Sequence, residues 1–171
     1  EANDIIVSDQ GTGAVIVGRD SGGAATFNGD IVLNRDLVLT NLGPFTAANR
    51  MWVYSHITGE GNLTAAGGGY VSLSQLETNT FAGDVTVLDA GTVFQVDAGR
   101  GLPATCNVEV GEGANLQPYG DLAINRLTGT GMVRGVQGTH ALTVGAANGN
   151  ALFAGRMVYN TQGGTPGILN L

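Results

Sequence analysis

Apolar and polar positions alternate with a period of two in short runs along most of this 171-residue chain, and Gly, Asn, Asp or Ser cuts the runs apart. Alternation of this kind marks a strand with one buried face. It predicts strands at 4–7 and 13–18, at 31–33 and 37–39, over 51–57, and as strand, tight turn, strand over 80–96. Both sides are apolar at 31–33 and 37–39, so these strands are expected to be partly covered on both faces. Nowhere does a 3.6-residue period persist for ten residues, so no long helix is expected. Residues 41–50 break the rhythm. Pro44 is excluded from a central strand and restricts Gly43 before it, so a projecting loop with a single helical turn is expected there. A second loop is expected at 97–105. Val85, Val87, Phe94, Val96, Val108, Val110 and Leu116 are the expected core.

Parts of the pattern recur. Phe81-Ala82-Gly83-Asp84, followed by an apolar strand, returns as Phe27-Asn28-Gly29-Asp30 and as Phe153-Ala154-Gly155-Arg156. Residues 57–63 (ITGEGNL) match 127–133 (LTGTGMV), and 14–18 (AVIVG) match 141–145 (ALTVG). The spacing varies, 54 residues from Phe27 to Phe81 and 72 from Phe81 to Phe153. A solenoid tolerates this, because each coil touches only its neighbours and extra residues leave as loops. An antiparallel sandwich fits less well. Its edges are usually guarded by Lys, and the only Asn-Gly pairs lie beside the Phe motifs rather than between paired strands. The expectation is an all-β fold, a right-handed parallel β-helix with irregular loops. It forms one domain, 1–171, with repeat units at roughly 4–56, 57–126 and 127–171, the last truncated. Phe27, Phe81 and Phe153 are expected to hold equivalent, stacked core positions.

Composition sharpens this. Gly supplies 29 of 171 residues and charged residues only 12%, the profile of many strands and tight turns. At 43% hydrophobic residues the chain is not disordered. All seven cations are Arg and the net charge is −7, which argues against nucleic acid and anionic lipid as partners. The single cysteine, Cys106, excludes an intrachain disulfide. It shares a strand face with Val108 and Val110, so a buried apolar role is expected. No apolar run is long enough for a spanning helix, so no membrane insertion is expected. The start at Glu1 without Met hints at processing after export, although an excised fragment would begin the same way.

Chemistry is sparse. There is no Asp-Asp pair and no Cys/His cluster, so neither metal nor cofactor is expected. Asp30 and Asp84 share a repeat position that Arg156 fills in the third copy, which favours a turn or solvated role over catalysis. His56 and His140 lack a nearby nucleophile motif. Residues 59–61 and 129–131 imitate half of a phosphate loop without a following helix. The formal sequon at Asn62 reads as turn chemistry. Trp52, Tyr54, Tyr70, Tyr119 and Tyr159 would form a stacking surface if they pointed outward together; scattered positions, some in the core, are the expectation.

The stretches 79–96 (NTFAGDVTVLDAGTVFQV), 101–116 (GLPATCNVEVGEGANL) and 127–155 resemble the passenger-associated repeats of bacterial autotransporter-type surface proteins. The resemblance covers about 57–171 well and 13–40 more loosely. It implies a β-helix working as an adhesin, stalk or scaffold at the bacterial surface. The membrane barrel of such proteins has no counterpart here, so the chain is expected to be a passenger piece or a self-standing subunit. The leading functional expectation is a non-catalytic extracellular structural protein. It would associate end to end with its own copies through strand stacking, using Ile5, Ile6 and Val7 at one end and Ile168, Leu169 and Leu171 at the other. The alternative is an adhesin that binds a glycan or receptor through its loops or tyrosines; a polysaccharide lyase-like enzyme ranks third.

Overall fold

The computed structural model describes residues 3–20, 22–74, 78–97, 101–136, 139–159 and 168–170. The alternating runs become short strands that wind in coils. The first coil is β1 (Ile5–Val7), β2 (Val15–Arg19) and β3 (Ala25–Phe27); the second is β4 (Ile31–Leu33), β5 (Leu37–Asn41) and β6 (Met51–Val53). The third is β7 (Ile57–Gly59), β8 (Leu63–Ala66) and β9 (Tyr70–Leu73). The fourth and fifth contribute two strands each, β10 (Val85–Val87) with β11 (Val93–Asp97), then β12 (Asn107–Val110) with β13 (Asn115–Tyr119). The sixth is β14 (Leu122–Ile124), β15 (Arg126–Gly129) and β16 (Met132–Gly135). β17 (Thr139–Val144), β18 (Arg156–Tyr159) and β19 (Ile168–Asn170) follow.

Every pairing among these strands is parallel. The result is a three-sided parallel β-solenoid. Face 1 holds β1-β4-β7 and, further along, β14-β17-β19; face 2 runs β2-β5-β8-β10-β12-β15; face 3 runs β3-β6-β9-β11-β13-β16-β18. Between β7 and β14 face 1 is irregular, and the buried Asn79 bridges the gap. Its Oδ1 accepts the Ile57 N–H at 2.7 Å and its Nδ2 donates to the Gly101 carbonyl at 2.7 Å.

Inward positions stack into aliphatic columns. On face 2, Leu37, Leu63, Val85, Val108 and Leu127 stand in register, so successive coils advance by 26, 22, 23 and 19 residues. All five are buried, as are Phe94, Val96 and Leu116 on face 3. Each such side chain contributes about 1.5–3 kcal/mol. Cys106 is buried with Val108 and Val110, as expected. The run 51–57 is not one strand: β6 ends at Val53 and β7 begins at Ile57, with a corner between.

The three Phe motifs do not stack on one another. Phe27 precedes a face 1 strand, β4; Phe81 precedes a face 2 strand, β10; Phe153 precedes a face 3 strand, β18. Their spacings are therefore two coils plus one face and three coils plus one face. Phe81 is buried, whereas Phe27 and Phe153 are only partly so. The motif marks a corner, and any of the three corners accepts it. The coil, near 22 residues, is the structural repeat rather than the longer units expected from sequence. The matched Thr-Gly-x-Gly segments behave alike, since 57–63 joins face 1 to face 2 and 127–133 joins face 2 to face 3. Gly59 and Gly129 need positive φ there, +100° and +102°.

The acidic residue of the motif has a defined task. Residues just ahead of a strand accept the N–H of their counterpart one coil on: Asp4 from Asp30, Asp36 from Asn62, and Asn62 from Asp84, at 2.8–2.9 Å. Asp84 in turn accepts from Asn107 N–H at 3.2 Å and from its side-chain amide at 2.8 Å. Asp30 and Asp84 are corner residues, and the sequon's Asn62 is a rung of the same ladder.

Candidate aromatic and amide groove

Residues 42–50 leave the solenoid between β5 and β6 as the projecting loop, with one 3-10 turn at Ala47–Asn49. It is held by a fully buried side chain at its base, Asn41. The Asn41 amide donates to the carbonyls of Asn49 and Tyr70, both at 2.8 Å, while its oxygen accepts from Gly43 N–H at 3.0 Å and Arg19 Nη1 at 3.2 Å. Arg19 also donates to the Asn49 carbonyl. All four hydrogen-bonding positions of Asn41 are used. The loop carries Phe45 onto face 3, where its ring stacks on Tyr70 with centroids 5.3 Å apart.

Beside the loop lies a groove of about 470 Å³. Its floor is the outward column of face 3, where Trp52, Ser72, Gln95 and Gln117 stand in register on β6, β9, β11 and β13. Outward side chains of a solenoid normally face water, yet Ser72, Gln95 and Gln117 are buried. Tyr70 lies within hydrogen-bonding range of both glutamines, its hydroxyl 2.5 Å from Gln95 Oε1 and 2.6 Å from the Gln117 amide. Gln95 Nε2 is committed to Asp97 at 2.9 Å, so the Gln95 oxygen takes the single phenolic proton. Gln117 also presents its Oε1 to the hydroxyl, which leaves two acceptor oxygens for one proton, and a flip of the Gln117 amide would resolve the conflict. Burial pushes the Tyr70 hydroxyl up to about 12, with Asp97 adding to the rise and Arg50 opposing it. It stays a neutral hydrogen-bonding group.

The Arg50 guanidinium packs over two rings, 4.3 Å from the Trp52 centroid and 3.9 Å from that of Tyr70. Trp52 and Tyr54 lie parallel within 5°, with centroids 5.7 Å apart. Tyr119 completes the far wall beside Asp97. The structure therefore brings Trp52, Tyr54, Tyr70 and Tyr119 to one face rather than scattering them. Tyr159 lies on β18 of the same face, its side chain outside the described residues. Sequence reasoning missed Arg50, Gln95 and Gln117. The available signal was polar residues at outward strand positions facing the one long insertion.

Among the described residues the groove is lined by a single carboxylate, Asp97. His56 and His140 sit four coils apart on face 1. Among the described residues no group of three or more His, Cys, Asp or Glu side chains could hold a metal ion, and no helix is long and apolar enough to cross a membrane. The half phosphate loops at 59–61 and 129–131 lead into strands, β8 and β16.

The proposed assembly edges separate. Val7 is buried, Ile5 half-buried and Ile6 mostly exposed. The backbone of Ile168 and Leu169 forms β19, which pairs with β17; Leu171 lies outside the described residues. The loop expected at 97–105 falls partly outside them as well, at 98–100. No family model matches the chain, and neither a curated protein nor a solved structure matches it.

Proposed function

We propose that this chain is a non-catalytic extracellular β-solenoid of the adhesin type, whose rigid coils present the face 3 groove to a glycan. One observation carries the reading. Aromatic faces, buried amides and an arginine converge on the cleft beside the projecting loop at 42–50. Ligand sites are concave and set aromatic or apolar walls beside fixed polar groups, and this groove pairs aromatic walls with an unusually large share of polar side chains. Parallel rings supply an apolar platform for the C–H face of a sugar, and the amides supply donors and acceptors for its hydroxyls. A lone carboxylate does not make the paired acid and base of a glycosidase. The resemblance of residues 79–96 and 101–116 to passenger repeats supports a place at a bacterial cell surface. The test is a glycan array on the intact chain, followed by titration of the hits. Trp52→Ala and Tyr119→Ala should each weaken binding roughly tenfold, about 1.4 kcal/mol, and Ile16→Ala on face 2 should not. An array without hits, or hits indifferent to both groove substitutions, overturns the reading.

End-to-end self-association is a second reading, favoured by the open first coil. Val7 apart, its inward residues Ile5, Val15, Val17 and Phe27 are only partly buried, whereas their counterparts in the next coil, Ile31, Leu37, Leu39 and Val53, are fully buried. A stacked copy would cover them, and so would further coils of a longer chain. Electron microscopy with sizing decides it; a discrete monomer at every concentration removes this reading.

A further inference from the structure

We infer that the groove takes a carboxylate-bearing sugar chain laid along the solenoid axis, with Arg50 as the partner of the carboxylate. The inference rests on the glycan reading above and adds the ligand's shape and charge.

Shape comes from the register. The lining residues Trp52, Tyr70, Gln95 and Gln117 come from four consecutive rungs, β6, β9, β11 and β13, and Val136 follows the fifth, β16. At ~4.8 Å per rung the groove runs about 19 Å, longer than one sugar ring and suited to several. Its two ends differ. The Trp52 and Tyr54 platform lies at the loop end, while Gln117 and Tyr119 lie at the other.

Charge comes from Arg50. Its guanidinium is fixed by the two rings beneath it, and its Nε is buried with no hydrogen-bond partner among the described residues. A planar guanidinium held in place offers paired N–H donors that match a carboxylate's two oxygens, and with Nε buried the pair left for a ligand is Nη1 and Nη2. The groove's own carboxylate does not fill that role. Arg50 is level with Tyr70 and then Val93, so Asp97 lies two rungs away and four positions along the strand, taking the Gln95 amide. Arg50 and Asp97 are the charged groups among the groove's described lining residues, so the groove is locally neutral in a chain of net charge −7. A cation held apart from the groove's acid in a locally neutral cleft favours an anionic ligand there over the rest of this acidic surface.

The experiment compares galacturonate oligosaccharides of two to six units with their methyl esters, which keep the ring and remove the charge. Sulfated galactan oligosaccharides of equal length form the third arm. The intact chain should bind the acid series at least tenfold more tightly than the esters, with affinity rising with length and falling with salt. Arg50→Gln should erase the acid preference, bringing the ratio of acid to ester affinity to about one. Arg50→Lys keeps the charge without the planar fork and should retain only part of the preference. Trp52→Ala should weaken acid and ester alike. Thermal unfolding of each variant verifies the fold. Equal binding of acid and ester, or equal loss of both with Arg50→Gln, overturns the inference and leaves the groove a neutral glycan site. Sulfated chains binding as tightly as the uronates also overturn it, since the carboxylate is then not what is read. No binding of any sugar in the three arms or on the array overturns both this inference and the glycan reading.

Discussion

Cys106 and Tyr70 are both weak acids held out of water, one in the core and one under the groove. Burial pushes each up to about 12, from 9.0 for the thiol and 10.0 for the phenol, and the Asp84 carboxylate adds to the rise at Cys106. The sign of the linkage follows. Above pH 9 the unfolded chain releases the thiol proton while the folded chain retains it, so folding loses free energy as pH rises. Tyr70 adds its share above pH 10, and both contributions are spent near pH 12. Urea unfolding midpoints should be flat from pH 7 to 8.5 and then decline steadily towards pH 11. Cys106→Ala should remove the part of the decline that begins near pH 9, whatever its own cost at neutral pH. A midpoint independent of pH up to 11 would show that neither group is shielded as the fold implies. The same burial makes the thiol unreactive towards alkylating reagents at pH 8 until the chain is unfolded.

Corners, not strands, hold the repeating information of this chain. The alternation of apolar residues was enough to place β2, β10, β11 and β12 and to exclude long helices, because inward packing demands a period of two. It was not enough to assign faces. Phe81-Ala82-Gly83-Asp84 looks the same whichever face follows it, because its task is local: to turn the chain and set the next strand's register. Identical motifs on different faces therefore looked like stacked copies. The steric content of the corner is visible at Gly83, where an added methyl would stand 2.1 Å from the Gly61 carbonyl oxygen of the preceding coil. Gly29 and Gly155 meet backbone oxygens of their preceding coils at the same distance. Gly13 supplies the contrast, with φ of +83° and nothing within 4 Å. Gly83→Ala should cost about 3 kcal/mol or more, since two backbones must move apart. Gly13→Ala should cost only the left-handed conformation, about 1–2 kcal/mol. Equal losses in chemical denaturation would mean that coil-to-coil approach does not set the glycine requirement.

Across the whole molecule the groove was far less legible than the solenoid. Its parts come from the loop at 42–50 and from four strands, and residues as distant as Trp52 and Gln117 meet only because each coil returns the chain to face 3. A pattern read along the chain shows outward polar residues; it does not show that an insertion covers them. The same nearest-neighbour construction governs stability. Each coil is held by the coils on either side, so the folding free energy is roughly a sum of local terms rather than one shared core. Coils three to five have buried inward residues, while Ile5, Val15, Val17 and Phe27 in the first coil are partly open. Native-state hydrogen exchange should therefore be graded. Amides bonded between middle coils, such as Leu63 to Asp84 and Val93 to Gly69, should exchange far more slowly than Ile5 to Asp30 or Ala25 to Arg50. Phe81→Ala removes a buried ring from the fourth coil at a cost of roughly 3–5 kcal/mol. Its effect on exchange should be greatest in β8, β10 and β12 and should fade towards β1–β3. A uniform drop in protection from β1 to β18 would mean that the chain unfolds as one cooperative unit and that the coils are not the independent steps their contacts describe.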